Sequence, residues 1–323
     1  MSRSLFGHRR RALALVAAAA TATLTAAACG NDTDDATSTA AATATVSASA
    51  DQQTPAAASV TLLTSPAGSD FDATVEALKK AVSDNGMMIL GDLDQAGALQ
   101  TTGLNLKGAH TFFVGNPSAG KMFFEQTPAI GAVIPLQFLV WADGDGKTSV
   151  SYFDPKPLFT AVDPTLADGG AKMADAATMI VSAATGGSAA AHGTQQTARL
   201  VTVDAKGGFD DAVNALARSA SDNGMMVLGD LDQAGALQTT GLNLKGAHTF
   251  FVGNPSAGKM FFEQTPAIGT VIPLRILVWA DSDGGAHVSY FDPEPMFTAV
   301  DSGLAEGGQK MSDAAAMIAN AVK

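Results

Sequence analysis

Polar side chains of the types used in binding and catalysis recur in the same order at two places in this chain of 323 residues. The first set is Asp94, His110, Asn116 and Lys121, and the second, 138 residues later, is Asp232, His248, Asn254 and Lys259. A carboxylate and an imidazole can exchange protons with a substrate, and an asparagine turn followed by a lysine can bind a small anion. We treat these eight residues as the candidate ligand-binding site.

The asparagine and the lysine belong to a Gly-Asn-Pro turn that begins at Gly115 and resembles the first seven positions of a P-loop. Position eight is Met122, so the hydroxyl that would bind Mg²⁺ is absent. Pro117 also lacks one of the N–H groups that such a loop would offer. We therefore reject nucleotide hydrolysis. The turn either presents N–H groups to a small anion, with Lys121 nearby, or is simply shaped by Gly115 and Pro117 while Asn116 caps the next helix; we favour the second interpretation.

The acidic and histidine positions also allow two interpretations. Asp92 and Asp94 alternate at the end of a predicted strand, where they can serve acid–base chemistry or a hard cation, or cap the following helix. His110 has no second histidine or cysteine at a spacing typical of metal ligands. We predict no metal site, we assign no catalytic residue, and the sequence indicates no particular cofactor.

The chain contains an internal duplication. Residues 83–163 and 221–301 differ at about ten of 81 positions, and residues 90–131 recur unchanged as 228–269. A period this long is typical of a duplicated domain and not of a solenoid, and the length allows two domains. We expect the two copies to pack against each other as an intramolecular pseudo-dimer.

Hydrophobic periodicity within one copy predicts alternating strands and helices. Strands are predicted at 60–64, 87–90, 109–114, 134–141 and 149–153, and helices at 71–82, 94–102, from Pro117 onward, and 171–184. Either Ser69 or Asp70 is suited to cap the first helix, and Gly86 to end it in a left-handed conformation. The order predicts an α/β (α+β) two-layer sandwich: two copies of a mostly antiparallel sheet with helices packed on it.

The N-terminus has the features of an export signal. Basic residues at Arg3 and Arg9–Arg11 precede an apolar run that ends at Ala28, which is typical of a signal peptide over residues 1–28. The sole cysteine, Cys29, follows in a context similar to a bacterial lipobox, although Ala26 stands where leucine is usual. We predict lipidation of Cys29; the alternative is cleavage after Ala28 and secretion. Both the twin-arginine and the general secretory routes remain open.

Composition sets the remaining boundaries. Residues 29–58 are small and polar and are predicted to be a disordered tether; copy 1 spans 59–184, a linker spans 185–196 and copy 2 spans 197–323. The net charge of -12 argues against nucleic-acid binding. The expected partners are a membrane, through the lipid anchor, and a small anion or an envelope protein.

Both copies resemble the DUF302 family, over residues 59–184 and 197–323. The segments that carry the resemblance are Asp94-Gln95-Ala96, Phe113-Val114-Gly115-Asn116-Pro117, Ile134-Pro135-Leu136 and Tyr152-Phe153-Asp154-Pro155. The resemblance implies a small α/β fold and no particular activity. Family members often carry histidine after the aspartate of the first segment, where this chain has Gln95 and Gln233, so any role of that histidine is not expected here.

Three hypotheses about function follow. The first is a non-catalytic binding or interaction module in the cell envelope. The second is a small-molecule enzyme with its site near the Gly-Asn-Pro turn. The third is a structural envelope protein, which a surface without any pocket near that turn would favour.

Overall fold

The computed structural model describes residues 57–323. The strands of copy 1 are β1 (Ala57–Pro66), β2 (Met88–Asp94), β3 (Ala109–Gly115), β4 (Leu136–Ala142) and β5 (Thr148–Phe153). Its helices are α1 (Phe71–Asp84), α2 (Gln95–Gln100), α3 (Pro117–Phe124), α4 (Pro155–Val162) and α5 (Ala167–Thr185), with 3-10 helices at Pro128–Ala132 and Pro164–Leu166. The predicted signal peptide, Cys29 and residues 29–56 of the predicted tether lie outside the described residues.

Copy 2 repeats this order. Its strands are β6 (Ala190–Asp204), β7 (Met226–Asp232), β8 (Ala247–Gly253), β9 (Leu274–Ala280) and β10 (Ala286–Phe291). Its helices are α6 (Phe209–Asp222), α7 (Gln233–Gln238), α8 (Pro255–Gln264), α9 (Pro293–Val300) and α10 (Ala305–Asn320), with 3-10 helices at Pro266–Thr270 and Ser302–Leu304. Between residues 57 and 323, no helix is both long and apolar enough to cross a membrane.

The ten strands form one curled sheet in the order β2-β3-β4-β5-β1-β6-β10-β9-β8-β7. Every pairing among them is antiparallel, and helices pack on the sheet, which confirms the predicted fold class. The copies join where β1 pairs with β6, from Ala57 opposite Arg199 to Thr64 opposite Ala190. Residues 190–196, predicted as a linker, therefore form the first half of β6, and residues 57–58 of the predicted tether belong to β1.

Local sequence signals explain most helix boundaries. The Asp70 carboxylate accepts a hydrogen bond from the N–H of Ala73 at 2.8 Å, as its N-cap position requires. Gly86 has a φ of 68°, the left-handed conformation predicted for it. Val75 and Leu78 are buried in the core between α1 and the sheet. The amphipathic pattern thus fixes which face of α1 packs inward.

The sequence prediction missed α4 and ended β2 too early. Helix α4 has a sequence signal, because Asp154 caps it by accepting from the N–H of Lys156 at 3.0 Å and Pro155 occupies its first turn. Strand β2 continues past Leu90 to Asp94, since it pairs with β3 through its polar end, where Asp94 lies opposite His110. The alternating carboxylates that suggested a strand end are therefore part of the strand.

A buried glutamine of each copy bonds to the backbone of the other. Gln95 donates its Nε2 proton to the carbonyl of Ile272 at 2.6 Å, and its Oε1 accepts from the hydroxyl of Thr111 at 3.1 Å. Gln233 donates in the same way to the carbonyl of Ile134 at 2.6 Å. A buried amide costs free energy unless it is hydrogen-bonded, so each glutamine requires the other copy to be in place.

These contacts leave no room for a side chain at Gly131 or Gly269. A methyl group at Gly131 would overlap Oε1 of Gln233 and lie 2.8 Å from Cδ1 of Leu277. We expect Gly131→Ala to lower the free energy of unfolding by about 1–3 kcal/mol, because it overpacks the contact between the copies. Urea denaturation measures this loss.

Gly144→Ala is the matched control for that substitution, since nothing lies within 4 Å of a methyl group there. We expect it to change the free energy of unfolding by less than about 0.5 kcal/mol. An equal loss of unfolding free energy in both variants would show that the effect of Gly131→Ala does not come from the close contact with Gln233.

Candidate functional site

Asn116 is the N-cap of α3. Its Oδ1 accepts from the backbone N–H groups of Ser118 at 3.0 Å and Ala119 at 3.3 Å, and its Nδ2 donates to the carbonyl of Gly86 at 2.8 Å. Asn254 makes the equivalent contacts in copy 2. The side chain of Asn116 therefore caps the helix, as the favoured interpretation of the sequence predicts. Both of its polar atoms are used in hydrogen bonds to the backbone.

Lys121 reaches across to the other copy. Its Nζ donates to the carbonyl of Thr240 at 3.3 Å and lies 3.6 Å from the Glu125 carboxylate. Lys259 donates to the carbonyl of Thr102 at 3.2 Å in the same manner. In both copies the lysine therefore contributes to the contact between the copies. A glutamate four residues later, Glu125 or Glu263, lies within 3.7 Å of the lysine Nζ and offsets its charge.

Asp94 and His110 lie together at the opposite end of β3 from the turn. Asp94 caps α2, accepting from the N–H of Gly97 at 2.8 Å. The Nε2 of His110 lies 2.7 Å from the carboxylate of Asp92, and its ring stacks on Phe112 with centroids 4.5 Å apart. In copy 2, Asp232 and His248 repeat these roles, His248 with Asp230 at 2.7 Å.

The four candidates of one copy therefore do not converge. His110 and Asn116 are six residues apart on an extended strand, which separates them by about 20 Å. Within residues 57–323, no group of three or more histidine, cysteine or acidic side chains is placed to hold a metal ion. The candidates divide instead into Asp94 and His110 at one end of β3 and the Gly-Asn-Pro turn with Lys121 at the other.

The turn of each copy borders a pocket shared with the other copy. The pocket beside Asn116 has a volume of about 130 Å³, and its walls include Phe124 from copy 1 and Leu231 and Leu237 from copy 2. The equivalent pocket beside Asn254 measures about 120 Å³ and includes Leu93 and Leu99 of copy 1. Both are lined mainly by apolar side chains, so they suit an apolar group better than an anion.

A third cavity, of about 100 Å³, lies between the copies where β4 and β9 begin; we call it the central cavity. Sequence reasoning did not single out this site, although the alignment of the copies contains a signal. Of the ten positions at which residues 83–163 and 221–301 differ, four line this cavity in both copies. They are Ala132 and Thr270, Gln137 and Arg275, Phe138 and Ile276, and Leu158 and Met296.

Arg275 is the cation of the central cavity. Its guanidinium donates to the carbonyls of Val133 at 2.5 Å and Pro135 at 2.8 Å, and lies 5.9 and 5.8 Å from the ring centroids of Phe113 and Phe251. No carboxylate in residues 57–323 forms an ion pair with it. Burial lowers the pKa of Arg275 to about 10. The residue is half-buried and contributes to the wall of the central cavity.

The two tyrosines of the chain line the same cavity with different surroundings. The hydroxyl of Tyr152 lies 3.3 Å from that of Thr178. Ala316 stands at the position equivalent to Thr178, so Tyr290 has no such partner. Burial, with a smaller contribution from the charge of Asp292, raises the pKa of Tyr290 to about 12. Burial also raises the pKa of Tyr152.

The fold and the paired sites define a duplicated α+β domain in which each copy completes the pockets of the other. Residues 63–184 and 201–323 each match the family described as Domain of unknown function DUF302. These matches span more than half of the chain, and the protein belongs to this family with two copies of its domain. A solved structure, the uncharacterized conserved protein DUF302 from Bacillus stearothermophilus, is similar over 38% of this chain and 98% of its own, with 20% identity and a TM-score of 0.36.

Curated proteins with a similar segment are named as fluoride channels. A stretch of 94 residues is 29% identical to the fluoride-specific ion channel FluC 1 of Brucella suis biovar 1 (strain 1330), covering 29% of this chain and 37% of that protein. FluC 1 of Brucella abortus biovar 1 (strain 9-941) matches at the same identity over 35% of its length. The chain thus spans about a third of the length of these relatives.

The tyrosine environments give a prediction that can be read in an alkaline titration. We expect both tyrosines of the folded protein to form phenolate at higher pH than free tyrosine, and the absorbance to keep rising toward pH 12 as Tyr290 titrates. Because the folded state raises this pKa, the stability that the neutral phenol contributes is fully present below about pH 10 and is lost as the pH rises through about 12.

Tyr290→Phe is the control, and it should leave a single titration that belongs to Tyr152. Ionisation of both tyrosines at their ordinary pKa in the folded wild-type protein would contradict the burial of the two hydroxyls.

Proposed function

We propose that this protein is an exported, envelope-anchored binding module, without catalytic activity, whose two DUF302 copies act as an intramolecular pseudo-dimer. The observation that carries the proposal is that all three cavities have walls from both copies. A site built in this way exists only when the copies are paired. The duplication therefore supplies, in one chain, the partner that a single copy would lack.

The side chains of the candidate site favour binding over catalysis. Asp94 and Asn116 hold backbone N–H groups, and Lys121 holds a backbone carbonyl of the other copy. A general acid or base must be able to reach the proton that it transfers. Residues already committed to helix capping and to the contact between the copies are poorly suited to that task.

The two alternatives are less well supported. A small-molecule enzyme would need a convergent polar site near the Gly-Asn-Pro turn, but the pocket beside Asn116 has mainly apolar walls. A purely structural envelope protein would be favoured by a closed surface at the turn, and a pocket of about 130 Å³ lies there. Fluoride transport is not part of the proposal, because the similarity covers about a third of the proteins named for it.

Native mass spectrometry of the full chain, purified from its own host without refolding, tests the binding function. We expect a reproducible extra mass that is lost on denaturation. The double variant Gln95→Leu/Gln233→Leu should lose that mass, because it removes the hydrogen bonds that the two side-chain amides make between the copies. Gln126→Leu is the matched control, since this glutamine is exposed and bonds within its own copy.

A wild-type protein that is reproducibly free of any bound mass would contradict a tightly held ligand and favour the structural alternative. Equal retention of the mass by the double variant would show that the binding site does not depend on the bonds between the copies.

The envelope anchor has its own test, at Cys29. We expect metabolic labelling with an alkyne fatty acid to mark the wild-type protein and the membrane fraction to retain it. Cys29→Ser should abolish the label and release the protein from the membrane, because no other cysteine is present. An unlabelled wild-type protein in the culture fluid would support the secretion alternative instead.

A further inference from the structure

We propose that the central cavity binds one small organic carboxylate, with its charged group on the guanidinium of Arg275 and its apolar body against the surrounding walls. The inference rests on the proposed function, since it names the ligand class of that same binding module. It concerns the central cavity alone.

The charge of Arg275 is the first reason. The guanidinium is held between the copies by two carbonyls and the faces of two phenylalanine rings, and no carboxylate from residues 57–323 pairs with it. Burying a cation without a counter-ion is costly. Its two hydrogen bonds leave further N–H donors free, and a planar guanidinium matches a carboxylate through paired hydrogen bonds.

The shape and walls of the cavity are the second reason. Its volume of about 100 Å³ exceeds the roughly 10–15 Å³ that one water molecule requires, so a small organic molecule can enter. Phe153, Phe291, Leu136 and Leu274 contribute apolar walls. An inorganic anion would leave those walls without contacts, whereas the apolar body of an organic acid would cover them.

The asymmetry of the cavity is the third reason. The turn pockets are built from positions at which the copies are identical, but the central cavity holds four of the ten differences. Gln137 stands where copy 2 has Arg275, and it donates to the carbonyls of Gly269 and Thr270. The cavity therefore carries one cation on one side, and it can orient a single anionic ligand in one direction.

The free energy of the charge is the fourth reason. Because burial lowers the pKa of Arg275 to about 10, the charged guanidinium costs stability at neutral pH. At the equivalent position of copy 1 the neutral Gln137 also donates to backbone carbonyls of the other copy, without a charge. A residue that costs stability where a neutral one fits is typical of a binding site.

Fluorine NMR of the full chain with para-fluorobenzoate tests the proposal directly. We expect saturable binding to the wild-type protein, and weaker or no binding of the neutral analogue para-fluorobenzamide. Arg275→Gln, which copies the residue of the other half, should weaken para-fluorobenzoate binding by at least about tenfold. Lys147→Gln, a control that also removes one positive charge but from an exposed position, should change it by less than about twofold.

Thermal unfolding separates a binding role from a structural one. If Arg275 serves a ligand, Arg275→Gln should unfold at the same temperature as the wild type or at a higher one, because a buried charge is removed. A clearly lower unfolding temperature would make Arg275 a structural residue and overturn the assignment. The comparison of para-fluorobenzoate with para-fluorobenzamide uses only the wild-type protein. It therefore tests whether the cavity prefers a carboxylate even if Arg275→Gln does not fold.

Three binding results would also overturn the proposal: no binding of para-fluorobenzoate at millimolar concentration, equal binding of para-fluorobenzamide, or competition by inorganic phosphate as effective as that by benzoate. If native mass spectrometry finds a bound ligand but one of these three results is obtained, the proposed binding function is retained and only the assignment of a carboxylate ligand is wrong. A ligand-free native protein that also fails to bind para-fluorobenzoate would remove both.

Discussion

Two buried amides, those of Gln95 and Gln233, are the interactions on which the arrangement of the copies depends. Each amide donates to backbone carbonyls of the opposite copy and accepts from a threonine of its own. Since a buried polar group must be satisfied, these bonds fix the distance and direction at which the halves meet. They also dictate glycine at positions 131 and 269, where any side chain would collide with the amide.

The duplication gives this arrangement a symmetry that the central cavity then breaks. Strand order, caps and turn pockets repeat in both halves, but Arg275 and Gln137 make the two sides of one cavity chemically different. A pair of identical chains cannot differ in this way, because each carries the same residue at each position. Fusion of the copies allows one half to change while the other preserves the packing.

The sequence was sufficient to predict the fold because each of its signals is local. Asp70 and Gly86 mark the ends of α1, and periodicity assigns the buried faces. The central cavity could not be predicted, because its walls come from residues far apart in the chain. Arg275 looks like an ordinary strand residue until β9 is placed against the other copy. Tyr290, on β10, lacks the hydroxyl partner of Tyr152 because Ala316 on α10 replaces the threonine. Local signals for α4 were present at Asp154 and Pro155, and combining them would have found it.

Strands β2 and β7 are the edge strands of the sheet. This position suggests a role in preventing aggregation for Asp92 and Asp94, which the sequence alone marks as candidates for acid–base chemistry. An edge strand exposes unpaired backbone groups to which another chain can add a strand. Asp92 and Asp94 place charges along β2, and the register shifts between Ile89 and Gly91. Both features discourage a foreign strand from pairing there. At high protein concentration, these aspartates would keep neighbouring molecules from joining their sheets into a continuous fibre.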